Sequence, residues 1–82
     1  MIKVIEVRYC GDFKLALTFS DGVEGSFIGR EFLRREGPLL DALRDESFFR
    51  RAFIDAGAVC WPNGLELSPT KLHETCIVRE PA

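Results

Sequence analysis

Between Phe13 and Phe19 the chain alternates without a break: Phe13, Leu15, Leu17 and Phe19 fall on one side, Lys14, Ala16 and Thr18 on the other. A period of two is that of a strand with one buried face. Such a strand must be covered, so this run commits the protein to a sheet packed on something apolar. Ser20-Asp21-Gly22 follows and turns the chain. A two-residue Asp21-Gly22 loop would set Phe19 opposite Glu24 and Leu17 opposite Ser26, mixing the faces. A three-residue loop with Gly22 in the left-handed conformation pairs Phe19 with Val23, Leu17 with Gly25 and Leu15 with Phe27, and keeps the apolar side chains together. The second register is the expected one.

Upstream, Val4 to Cys10 is rich in β-branched and aromatic residues, with Ile5, Val7 and Tyr9 alternating against Glu6 and Arg8, which predicts a strand that turns at Gly11-Asp12. After Ile28-Gly29 the period of two ends. Phe32 and Leu33 among Arg30, Glu31, Arg34, Arg35 and Glu36 predict a short one-sided helical turn. Pro38 suits the first position of a helix over Leu39 to Arg44, and Asp45 suits the N-cap of a further turn carrying Phe48 and Phe49. Ala52 to Ile54 and Ala58 to Trp61 read as short strands around Asp55-Ala56-Gly57, Pro62-Asn63-Gly64 as a second turn before Leu65-Glu66-Leu67, and Ser68-Pro69 as the start of a last helical turn through His73. The expectation is one α+β domain over residues 1–76: a three-stranded antiparallel meander, short helices, two or three short strands and a small C-terminal helix, with a frayed tail at 77–82.

With 82 residues there is room for one core only. A chain of this size buries roughly 60 to 65% of its unfolded surface, so association with a partner or with a second copy is an economical route to stability. No run approaches the apolar length of a membrane span, and the N-terminus meets Lys3 and Glu6 at once, unlike a signal peptide. Cys10, Cys60 and Cys76 are odd in number and widely spaced, which fits thiols in a reducing cytoplasm better than a disulfide scaffold.

The net charge of −2 argues against nucleic-acid binding by bulk electrostatics. Only the middle of the chain is basic. Arg30, Arg34, Arg35, Arg44, Arg50 and Arg51 lie within it, interspersed with five carboxylates. Arginine suits phosphate and carboxylate recognition, so this stretch could dock a nucleic acid or an acidic partner; a solvated, salt-bridged face is the plainer reading.

Catalytic chemistry finds little to work with. His73 is the single histidine, so any imidazole base would be His73, and its plainer role is a surface residue near a helix end. The three cysteines and His73 lack a C-x-x-C anchor for zinc, and the glycines at 22, 25 and 29 sit in a hairpin rather than before a helix. Neither a catalytic residue, a metal site nor a cofactor is expected. Trp61-Pro62-Asn63-Gly64 is the most unusual string: Trp61 is either a core anchor or a binding anchor. The residues assigned to partner binding are Trp61, Asn63, Arg34, Arg35, Arg50 and Arg51.

Phe19-Ser20-Asp21-Gly22, Gly37-Pro38-Leu39-Leu40 leading to Leu43-Arg44-Asp45 and Phe49, and Val59-Cys60-Trp61-Pro62-Asn63-Gly64 running to Leu67-Ser68-Pro69 and Leu72 together resemble the bacterial family called domain of unknown function 2442. The resemblance covers residues 1 to about 74. It implies an α+β domain that occurs alone or fused to a helix-turn-helix, often encoded beside another small protein in arrangements similar to toxin-antitoxin pairs, with no known enzymatic activity. The expected function is therefore a non-enzymatic, cytoplasmic interaction module that holds another small protein, with self-association, nucleic-acid binding through Arg30 to Arg51 and, last, chemistry at His73 as the alternatives.

Overall fold

In the computed structural model, which describes residues 1–76, the order is β1 (Val4–Gly11), β2 (Lys14–Phe19), β3 (Glu24–Ile28), α1 (Gly29–Phe32), α2 (Pro38–Leu43), α3 (Glu46–Phe49), β4 (Phe53–Asp55), β5 (Ala58–Cys60), β6 (Glu66–Leu67) and α4 (Pro69–Cys76). This is the expected α+β order. The strands form two antiparallel three-stranded sheets, β1-β2-β3 and β4-β5-β6. The tail expected at 77–82 lies outside the described residues.

The β2–β3 hairpin has the register dictated by the apolar faces. Leu15 pairs with Phe27 and Leu17 with Gly25, and the Phe19 N–H donates to the Val23 carbonyl at 2.8 Å. Gly22 takes φ +86°, a left-handed value that a β-branched residue resists. The Asp21 carboxylate accepts from the Val23 N–H at 3.0 Å and completes the loop.

Two expectations about the first strands are corrected. Ile5 does not share the buried face of Val7 and Tyr9; it is 60% exposed. The ladder steps from Val4 opposite Phe19 to Glu6 opposite Thr18, so Ile5 is the extra residue of a bulge and Val4 takes its place in the core. Phe13 belongs to the turn rather than to β2, with φ +59°. Its ring nevertheless reaches the core edge-on to Phe49, with centroids 5.2 Å apart.

Helix signals in the middle of the chain act as read. Pro38 opens α2, and the Asp45 side chain caps α3 by accepting from the Ser47 N–H at 3.0 Å. These short helices deliver Leu43 and Phe49 to a core completed by Val4, Leu15, Leu17, Phe19, Val59 and Trp61. Phe49 is its hub, within 6.4 Å of Phe27 and 5.7 Å of Trp61 between centroids. Burial of one such side chain is worth about 1.5–3 kcal/mol. Gly29 lets this ring come close: a Cβ there would lie 2.4 Å from the Phe13 carbonyl oxygen and 2.6 Å from the Phe49 ring. Among the described residues, no helix is long and apolar enough to cross a membrane.

Candidate functional site

Among the described residues, the last strand of each sheet has a strand neighbour on one side only, and these two edges, β3 and β6, line a common groove. Its volume is about 350 Å³. β3 contributes Ser26, Phe27 and Ile28; α1 contributes Glu31 and Phe32, with Arg35 just beyond it; β6 and α4 bring Glu66, Leu67, Lys71 and Leu72. The placement follows from local signals. The loss of alternation after Ile28 starts α1 beside the end of β3, and Ser68, whose Oγ accepts from the Lys71 N–H at 3.3 Å, caps α4 directly after β6.

The groove has an apolar floor and a charged rim. Phe27 and Leu72 are buried, whereas Phe32 and Leu67 are only half-buried and present apolar surface. Glu31, Arg35, Glu66 and Lys71 are exposed, and none of the four forms an ion pair among the described residues. Arg35 lays its guanidinium over the Phe32 ring at 5.6 Å, which holds a cation at the mouth of the groove.

Of the six residues assigned to partner binding, the structure brings only Arg35 to this groove. Trp61 is corrected: it is 1% exposed, and its indole N–H donates to the Phe49 carbonyl at 2.8 Å. A ring enclosed in this way serves the core and offers a partner no surface. Asn63 is likewise engaged within the chain. Its amide donates to the Leu39 carbonyl at 2.9 Å and its oxygen accepts from the Leu65 N–H at 3.1 Å, so it fastens the β5–β6 turn to α2.

The arginine stretch does not form one patch of free cations. Arg30 pairs with Asp12 at 2.6 Å; Arg44 pairs with Asp41 at 2.9 Å and also donates to the carbonyls of Leu33 and Arg35, tying down the loop before α2. Arg50 stacks over Tyr9 and Arg51 over Phe48. Arg34 is exposed.

His73 sits on α4, where its Nε2 lies 2.8 Å from the Asp21 carboxylate and its ring stands edge-on to Phe19. It clasps α4 to the β2–β3 loop. The Val23 N–H, and after it the His73 side chain, hold the Asp21 carboxyl below its ordinary value of 3.8. Tyr9 donates to the Glu46 carboxylate; desolvation, and then this bond, push its hydroxyl above 10.0. Burial pushes the Cys60 and Cys76 thiols up, which keeps them protonated at neutral pH, while Cys10 is exposed.

Sequence reasoning missed Ser26, Phe32, Leu67 and Lys71 as a set, because they come from four separate elements. The available signal was the meander itself: a third strand with no following strand beside it leaves an edge. No curated protein and no solved structure matches this chain. The family model described as Protein of unknown function (DUF2442) matches residues 4–77, which takes in both sheets and the groove, and the chain belongs to that family.

Proposed function

We propose that this protein is a non-enzymatic interaction module, the antitoxin-like or regulatory half of a two-protein bacterial system working in the cytoplasm, and that the groove between β3, α1, β6 and α4 holds its small-protein partner. The observation that carries this reading is the pairing of a half-buried apolar floor, Phe32 and Leu67, with four rim charges that have no ion-pair partner among the described residues. A buried apolar centre with a polar rim is how protein interfaces are built. A catalytic cleft would instead gather convergent titratable groups with shifted proton affinities; Tyr9 and Asp21 serve as structural ties away from the groove, and the shifted group that lines it, Cys76, is a single thiol raised by burial.

The test is co-expression with the product of the adjacent gene, followed by co-purification at micromolar concentration. A stoichiometric complex is expected, and Phe32→Asp should weaken it by roughly tenfold or more, because a charge replaces apolar surface at the contact centre. Separate elution of the two wild-type proteins contradicts the proposal. A nucleic-acid mobility shift whose affinity falls steeply with salt would favour the arginine-bearing segment over the groove.

A further inference from the structure

The hydrogen bonds of the two sheets show which backbone groups the groove offers. In the β2–β3 ladder, Phe19 bonds to Val23 and Gly29 to Phe13, so the odd-numbered residues of β3 direct their amides and carbonyls toward β2. The even-numbered residues direct theirs the other way, into the groove. In the β5–β6 ladder, Trp61 bonds to Leu65 and Leu67 stands opposite Val59, which turns the backbone of Glu66 outward as well. Among the described residues, the strand N–H groups of Ser26 and Ile28, at the groove, have no backbone partner, nor has the Ser26 carbonyl; the Ile28 carbonyl opens α1.

We infer that the groove accepts an extended segment of a partner protein, which adds as a fourth strand on the edge of β3. This deepens the interaction reading and rests on it. Strand addition takes its affinity from main-chain hydrogen bonds and its specificity from pockets for alternate side chains. Both parts are in place. Ser26 and Ile28 supply the main-chain groups, and the spacing of their outward N–H groups is that of a strand ladder. Phe32 and Leu67 form the surface against which every second side chain of the incoming strand would rest. The charges decide the remaining chemistry: Arg35 and Lys71 call for an acidic residue in the segment, Glu31 and Glu66 for a basic one. The occupant is thus an extended peptide, apolar at alternate positions and bearing both signs of charge between them.

Proline distinguishes an edge from a packed surface. At Ser26 it removes an N–H that points away from β2 and leaves the β2–β3 ladder intact, a position at which sheets tolerate proline. The probe is a phage-displayed library of random dodecapeptides panned against the whole chain. Peptides with alternate apolar residues and mixed charge are expected to be enriched, to bind Ser26→Pro roughly tenfold or more weakly than wild type, and to bind Ser26→Ala unchanged, since the backbone is kept. Amide spectra of the wild-type protein give a second readout that needs no variant: the enriched peptide should shift and protect Ser26 and Ile28. The inference is overturned if no such peptide is enriched, if Ser26→Pro binds equally well, or if the protected amides lie elsewhere. It is also overturned if light scattering shows that a second copy of the chain occupies the edge. If the peptides fail while the adjacent gene product still co-purifies, strand addition falls and the interaction module stands; peptide binding without co-purification has the opposite meaning.

Discussion

The two sheets solve the same problem by different means. The first has strands of 8, 6 and 5 residues, long enough for alternation to fix its register from within: a slip of one residue in β2 would expose Leu15, Leu17 and Phe19 together. The second has strands of 3, 3 and 2 residues, too short to carry a period, and it is held from outside. The Trp61 indole reaches the end of α3, Asn63 reaches α2, and Val59 is enclosed by the core. A sheet specified by its own pattern tolerates changes around it, whereas a sheet specified by anchors depends on each of them. The groove lies where an edge of the self-specified sheet meets an edge of the anchored one, so the second sheet serves the site by holding Glu66 and Leu67 in place.

The largest effect that would break this comparison is expected at the anchor. Trp61→Ala should cost about 3–5 kcal/mol, read by chemical denaturation, and amide exchange should accelerate more in β4–β6 than in β1–β3. Equal acceleration in both would mean that the second sheet does not depend on its anchor. Gly29→Ala comes next: backbone and ring both block a Cβ, so a loss of about 3 kcal/mol is expected from the same denaturation curves. Gly22→Val should cost about 1–2 kcal/mol, because left-handed backbone in the loop is needed for the register; an unchanged midpoint would count against it.

A smaller effect has the opposite sign. Ala56 sits at φ +53° in the β4–β5 turn, where glycine carries no side-chain penalty, so Ala56→Gly should stabilise by up to about 1 kcal/mol, visible as a raised Tm. The last is a pH effect on the clasp between α4 and the β2–β3 hairpin. Because folding lowers the proton affinity of Asp21, its stabilising contribution is complete above the ordinary value of 3.8 and is lost as pH falls below it. Asp21→Asn should flatten the acid limb of the stability profile, and an identical limb in the variant would remove Asp21 from that role.

How much was legible follows the same division. The hairpin register could be read from Phe13 to Phe27 because alternate side chains must share a face, and the helix starts at Pro38, Asp45 and Ser68 could be read because caps and first-turn prolines are local chemistry. Ile5 could not be placed. A bulge is a property of the pair of strands, and nothing in Val4-Ile5-Glu6 alone marks which residue is extra. Trp61 and Asn63 stood out as unusual for a good reason, but a strong turn with an aromatic before it looks the same whether the ring points in or out. Its direction is decided by the Phe49 carbonyl, 12 positions away. The arginines were read as a group because they are close in sequence; they separated because α1, α2 and α3 face different neighbours. The groove was the least legible part, since it is an arrangement of edges rather than a string of residues.

The most direct measurement of the account is amide hydrogen exchange on the free protein and on its complex with the adjacent gene product. The account predicts fast exchange at Ser26 and Ile28 in the free chain, slowed by roughly tenfold or more in the complex as the two N–H groups gain strand partners, with the odd-numbered residues of β3 already protected in both. Unchanged exchange at Ser26 and Ile28 in a complex that nevertheless forms would contradict it, placing the partner on another face of the molecule.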